Sequence, residues 1–201
     1  MTDWTLVPVA YLAGSLPWGL YVVLITKRVD IRTVGSGKIG ATNVLRTAGK
    51  AAAAIVFLAD IAKGAGLAIL ARVLTDDEAI HAAVAGAVIV GHIWPVLAGF
   101  RGGRGISTGF GALTGIDPWA GLIGVGVFAP IVGGTRFVSL GSVVAVLVAV
   151  GILVARAMLF DAPWAYAIFG LTAGSLIVWT HRDNIVRLAE GKERRIGQRA
   201  I

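Results

Sequence analysis

Long apolar runs separated by short polar islands set the pattern of this chain. Residues of about 4–25, 51–74, 79–99, 137–158 and 162–180 are each predominantly apolar, over the roughly 20 residues that a membrane-spanning helix requires. His92 and Pro95 interrupt the third run. The stretch 106–135 is uncharged except for Asp117, which stands beside Pro118. It predicts two short helices turning near Ile116-Asp117-Pro118. The pattern as a whole predicts an all-α, polytopic integral membrane protein of about seven spans. It forms one unit over 1–201, with the N-terminus outside and the C-terminus cytoplasmic.

Composition agrees. The 201 residues are 57% hydrophobic and 14% charged, against roughly a quarter charged in soluble domains. Cysteine is absent, which excludes disulfide and thiolate chemistry. The net charge of +7 would suggest nucleic acid in a soluble protein. In this chain it indicates loops facing an anionic leaflet, together with anionic substrates, so the partner is the lipid bilayer and not nucleic acid. Thr2 and Asp3 replace the basic start of a secretory leader and no small-residue cleavage site follows, so the first apolar run is expected to stay as a helix. Glycine is abundant, as in Gly121-Leu122-Ile123-Gly124-Val125-Gly126, and close helix packing through small residues explains most of it.

The basic residues orient the spans. With the N-terminus outside, every lysine and arginine except Lys63, Arg72 and Arg156 falls on the inner side, including Arg199 in the tail. Those three lie inside helices. The outer segments hold Asp3, Asp76, Asp77, Glu78, Asp117 and Asp161. All three polar islands then face the cytoplasm.

The first island reads Gly35-Ser36-Gly37-Lys38-Ile39-Gly40-Ala41-Thr42-Asn43-Val44-Leu45-Arg46. Its glycines permit positive φ, so successive N–H groups can converge on a phosphate. Thr42 and Asn43 fall on the face of Arg46 if the segment is helical. It is not a Walker A loop: Arg32 stands where the first glycine is needed and Ile39 where Ser or Thr must bind magnesium. The second, Phe100-Arg101-Gly102-Gly103-Arg104-Gly105, can form an anion nest with a guanidinium on each side. The third runs His181-Arg182-Asp183-Asn184-Ile185-Val186-Arg187, with His181 and Asn184 on one face of a continuing helix. Taken singly, each has a plainer reading: a cytoplasmic linker, a basic glycine loop at a membrane edge, a solvated helix end.

Taken together, the islands resemble the three signature motifs of the bacterial membrane acyl-phosphate:glycerol-3-phosphate acyltransferases. Gly35-Ser36-Gly37 through Gly40-Ala41-Thr42-Asn43 to Arg46 matches the first. Gly91-His92-Ile93-Trp94-Pro95 through Phe100 to Gly102-Gly103-Arg104-Gly105 matches the second. His181-Arg182-Asp183-Asn184-Ile185 through Arg187-Leu188 to Gly191 and Glu193 matches the third. Asp60-Ile61-Ala62-Lys63-Gly64 and Gly14-Ser15-Leu16-Pro17-Trp18-Gly19 also look like that family. Two positions depart from it: Lys38 stands where the family usually has Asn, and Arg104 where it usually has Lys.

The resemblance implies transfer of a fatty acyl group from acyl phosphate to the 1-hydroxyl of glycerol 3-phosphate. The products would be 1-acylglycerol 3-phosphate (lysophosphatidic acid) and phosphate. It assigns Ser36, Arg46, Arg104, His181 and Asn184 to catalysis. Phosphate binding falls to Gly35, Gly37, Lys38, Gly40, Thr42 and Asn43, with Gly102, Gly103 and Gly105. It places the enzyme in the cell membrane as a multi-pass protein with a cytoplasmic site and needs no cofactor or metal. The residues themselves suit this chemistry. No His-x4-Asp pair exists, since Gly86, Leu97 and Val186 follow the three histidines at that spacing. Positioning and charge neutralisation are therefore expected to outweigh covalent catalysis. His92 is expected to be structural; the Asp60–Lys63 pair reads either as functional, the default for intramembrane charges, or equally as a buried ion pair that fixes helix packing. A small-anion transporter and a non-catalytic lipid-binding protein are the alternatives, the first disfavoured because these islands sit at one membrane edge.

Overall fold

The computed structural model describes residues 3–198. Thr2 and Arg199, used above in the leader and charge arguments, lie outside the described residues. The described residues form ten α-helices and no strand. By length and composition, five apolar segments can cross a membrane: Leu6–Lys27, Lys50–Leu74, Glu78–Ala98, Pro118–Thr135 and Val138–Leu159. Two shorter apolar helices, Ile106–Ile116 and Trp164–Thr180, complete the bundle.

Proline decides where the apolar runs break. The first is two helices, α1 (Leu6–Gly14) and α2 (Trp18–Lys27), because Pro17 supplies no N–H and disfavours helical geometry at Leu16. Between islands, α3 (Ala41–Ala48) and α4 (Lys50–Leu74) follow directly on one another. Pro95 likewise ends α5 (Glu78–Ile93) short of the expected 99. The expected split of 106–135 is present as α6 (Ile106–Ile116) and α7 (Pro118–Thr135). Asp117 caps α7 by accepting from the Ala120 N–H at 3.0 Å, with Pro118 in its favoured first position. The remaining helices are α8 (Val138–Leu159), α9 (Trp164–Thr180) and a separate short α10 (Arg182–Ala189).

Glycine sets the closest helix contacts. Gly64 of α4 lies against the Thr108 backbone, Gly111 of α6 against Ile61, and Gly115 against Ala65 and Ala68. Residue numbers rise together along both helices, so α4 and α6 run parallel, with α5 returning between them. The α7 glycines are less uniform: Gly121 packs on Thr114, whereas a Cβ on Gly124 or Gly126 would meet nothing within 4 Å.

Two apolar cores result. The larger joins α1, α4, α5, α6, α8 and α9 around Val84, Val88, Ile89 and Ala112. The smaller lies under the first island, where Val23, Ile31, Ile39, Val44 and Val56 are almost completely buried. It anchors the glycine loop on α2 and the start of α4.

Candidate active site

All three islands meet on one cleft of about 350 Å³. From the first island, Ser36, Lys38, Gly40, Thr42, Asn43 and Arg46 line it. The second contributes Arg104 and Gly105, the third His181 and Asn184. Gly35, Gly37, Gly102 and Gly103 do not line the cleft.

Asn43 folds the first island. Its amide donates to the carbonyls of Val34 at 3.1 Å and Lys38 at 2.9 Å, while its oxygen accepts from the Ser36 N–H at 3.2 Å. The side chain is 2% exposed, so Asn43 shapes the loop from within. Gly35 and Gly37 supply the left-handed turns of that loop, at φ 64° and 67°. Ser36, Lys38 and Thr42 are left facing the cleft.

The second island rests on an intramembrane ion pair. Lys63 Nζ lies 2.9 Å from Asp60 Oδ1 and 3.1 Å from His92 Nδ1, and it donates to the Leu16 carbonyl at 3.1 Å. That carbonyl, at the break before Pro17, also accepts from the Trp18 N–H at 3.1 Å. Gly103 donates its N–H to the His92 carbonyl at 3.1 Å, and its bare α-carbon sits against the His92 ring. Gly102 presses on the His92 and Ile93 carbonyls in the same way. These contacts pack His92 and the Asp60–Lys63 pair under the second island, and Asp60 and His92 also reach the cleft wall. Irregular backbone at membrane depth is tolerated where protein covers it, and this cluster provides the cover.

Thr180 ties the second island to the third by donating to the Arg104 carbonyl at 3.0 Å. His181 Nδ1 lies 2.8 Å from the Ile177 carbonyl. A carbonyl only accepts, so Nδ1 carries the proton and Nε2 is left as an acceptor. Burial pushes the imidazole down to about 4, so the ring is neutral at physiological pH.

Glu193 organises the rest. Its carboxylate accepts from Ser139 Oγ at 2.8 Å, Asn184 Nδ2 at 2.7 Å and Arg187 Nε at 2.8 Å. Burial pushes its carboxyl up, but these donors outweigh that and hold it below the usual glutamate range. Because a carboxylate cannot donate, the Asn184 amide is fixed with Nδ2 toward Glu193 and Oδ1 free. That Oδ1 is buried without a partner, as are Nε of Arg46 and Nε of Arg104.

The cleft holds a surplus of positive charge. Burial, and then the neighbouring cations, lower the pKa values of Lys38, Arg46 and Arg104. Among the described residues no group of His, Asp and Glu could hold a metal.

Sequence reasoning left Glu193 out of the site, although a lone acid among Lys192, Arg194 and Arg195 was a signal. Ser139 and Ser142, a polar pair one helical turn apart at the start of α8, also line the cleft and were missed. Phe57, Ile106, Ser107, Phe128 and Ser142 line both the cleft and an adjoining, almost entirely apolar cavity of about 320 Å³. No local pattern announced it.

Comparison with known proteins agrees with this geometry. The family model for glycerol-3-phosphate acyltransferase matches residues 4–191. The glycerol-3-phosphate acyltransferase of Prochlorococcus marinus (strain NATL1A) is 43% identical over 188 residues, covering 94% of this chain and 95% of its own length. That of Myxococcus xanthus (strain DK1622) is 44% identical over 193 residues, covering 94% and 97%. The fold is similar to the crystal structure of PlsY (YgiH), an integral membrane glycerol 3-phosphate acyltransferase, in its glycerol 3-phosphate form. The TM-score is 0.88 at 35% identity, covering 98% of this chain and 96% of that one. Its lysophosphatidic acid form matches with a TM-score of 0.86 at 34% identity.

Proposed function

The chain belongs to the glycerol-3-phosphate acyltransferase family, and we propose that it acylates glycerol 3-phosphate with acyl phosphate as donor, giving lysophosphatidic acid and phosphate. One observation carries this reading: a cationic cleft built from three distant segments adjoins an apolar cavity, the two sharing Phe57, Ile106, Ser107, Phe128 and Ser142. Such a site suits a donor with a phosphate at one end and a lipid chain at the other.

The acyl chain lies in the apolar cavity and its phosphate in the cleft, held by Ser36, Lys38, Thr42 and Arg46. Arg104 holds glycerol 3-phosphate through its unpartnered Nε. Glycerol 3-phosphate carries two hydroxyls, and the two free acceptors, Asn184 Oδ1 and His181 Nε2, take one hydrogen bond each, which orients the 1-hydroxyl. Its oxygen attacks the acyl carbon, the ester C–O bond forms, and the bond from the acyl carbon to the phosphate oxygen breaks. The hydroxyl proton leaves with the phosphate. A phosphate whose second pKa is about 6 holds that proton better than an imidazole at about 4, so His181 positions the nucleophile and the leaving group takes the proton. The cations neutralise the charge that develops on phosphate.

The charge pattern supports a cytoplasmic cleft. The loops at the cleft end are rich in lysine and arginine, while the opposite connections carry Asp76, Asp77, Glu78 and Asp161.

Purified protein given palmitoyl phosphate and glycerol 3-phosphate is expected to release phosphate and form lysophosphatidic acid in equal amounts. Arg104→Gln should lose most of this, because a charge-assisted phosphate contact contributes roughly 1.5–3 kcal/mol, an order of magnitude or more in rate. Phosphate release without lysophosphatidic acid, or wild-type turnover in the Gln variant, would contradict the assignment.

A further inference from the structure

The apolar cavity has a measurable depth. Its wall along α8 extends from Ser142 to Leu153, which is about 16 Å at 1.5 Å per residue. Half of a hydrocarbon core of about 30 Å is close to that figure, and is the reach of one lipid chain. Leu153 and Phe169 close the far end, 3% and 5% exposed. A chain entering past Phe57 and Phe128 therefore meets a floor.

The glycines in the wall are not equivalent. A Cβ on Gly109 would stand 3.0 Å from Ile177 Cδ1, one on Gly170 2.8 Å from Leu153 Cδ1, and one on Gly174 2.5 Å from Val150 Cγ2. Gly174 is the most tightly packed of the three, while at Gly109 and Gly170 the neighbours are the ends of flexible side chains. Gly124 on α7 is buried and lines the cavity, yet a Cβ there would meet no heavy atom within 4 Å. No left-handed backbone requires glycine at this position either. In a helix interior glycine costs roughly 1 kcal/mol relative to alanine, and helix packing explains none of it here. The open space in front of Gly124 is the cavity itself, one helical turn deeper than Phe128.

We propose that Gly124 is a specificity-determining residue for donor chain length, its bare α-carbon keeping the middle of the cavity wide enough for a long chain to reach the Leu153–Phe169 floor. This rests on the cavity being the acyl site of the proposed reaction. A side chain at 124 narrows the passage partway down, so the tail of a long chain is excluded while a short chain stops above it. Removing side-chain volume at Leu153 acts in the opposite sense by lowering the floor.

The test uses the purified full-length enzyme with octanoyl, lauroyl and palmitoyl phosphate at saturating glycerol 3-phosphate. Across Gly124→Ala, Gly124→Val and Gly124→Leu, the ratio of palmitoyl to octanoyl turnover is expected to fall stepwise. The Leu variant should lower it by roughly tenfold or more, the scale on which apolar pockets discriminate by a few methylenes. Leu153→Ala should raise the preference for the longest donor, and it keeps the proposal testable if Gly124→Leu does not fold. Ratios unchanged in the Ala and Val variants and in Leu153→Ala, or an equal loss with every donor, overturn the assignment of Gly124. Wild-type protein that acylates glycerol 3-phosphate from none of the three donors instead overturns the acyl-phosphate reading, and the chain-length role falls with it.

Discussion

Gly103→Ala separates a phosphate nest from a packing contact. The Gly103 N–H is already donated to the His92 carbonyl at 3.1 Å, so it is not free for a phosphate. A methyl at this position would land on His92 Nε2, with Cε1 and Cδ2 at 2.9 and 3.0 Å. Carbon contacts are comfortable at about 3.5–4.0 Å, so either the ring or the loop must move by roughly 1 Å. The ring is poorly free to move: His92 is 3% exposed, and its Nδ1 is held 3.1 Å from Lys63 Nζ and 3.4 Å from Asp60 Oδ1. Disrupting a buried ion pair costs about 3–5 kcal/mol, whereas overpacking costs about 1–3 kcal/mol. The loop therefore yields, and Arg104 moves with it. For a chain of this size the destabilisation lowers the Tm by roughly 2–12 °C. A catalytic group displaced by about 1 Å can cost on the order of 100-fold in turnover. Thermal unfolding in detergent and lysophosphatidic acid formation measure the two effects, with Gly126→Ala as the control, since a Cβ there meets nothing within 4 Å. Wild-type Tm and turnover in Gly103→Ala would refute the reasoning. Lost turnover at an unchanged Tm would return Gly103 to the phosphate.

Glu193→Ala frees the Asn184 amide and leaves Arg187 unpaired, so turnover is expected to fall by roughly tenfold or more, with Glu193→Gln intermediate because it still accepts from Ser139 and Asn184. Wild-type turnover in the Ala variant would remove Glu193 from the positioning network. His181 sets an acid limit: burial lowers its pKa from 6.5 to about 4, so between those values the unfolded chain binds a proton that the folded one does not. Stability is then complete above 6.5 and declines as pH falls toward about 4. His181→Gln should flatten that part of the Tm-against-pH curve, and an unaltered slope would mean that other groups carry it.

Much of the fold was legible because hydrophobic length and proline act locally. The Ile116-Asp117-Pro118 turn was read correctly, since Pro118 favours a helix start and Asp117 can cap it. Pro17 carried the same kind of signal in a run long enough to read as an unbroken span, and Pro95 was read as an interruption of a run still taken to 99. The length of α6 was less accessible. At 11 residues it is about 16 Å long, half of a hydrocarbon core, and a short helix is tolerable only because α4 covers it through Gly64, Gly111 and Gly115. That pairing joins residues more than forty positions apart and leaves only scattered glycines in the sequence.

The site divides along the same line. Residue types that bind phosphate were visible island by island, and their convergence followed from placing all three on one side of the membrane. Gly102 and Gly103 of the second island were legible as special but not in function, because a bare α-carbon serves a bound anion and a buried imidazole equally well. The role of Glu193 was hidden. It was visible as the end of the third motif but not as an organiser, because its effect depends in part on Ser139, fifty-four positions away. Its presence also explains the charge balance. Lys38, Arg46, Arg104 and Arg194 line the cleft, whereas its two carboxylates are already paired, Glu193 with Arg187 and Asp60 with Lys63. Two phosphates of about −1.5 to −2 each would offset that surplus of cations, whereas one would leave part of it uncompensated. The electrostatics thus favour a site that takes donor and acceptor together, and direct transfer between them needs no acyl-enzyme.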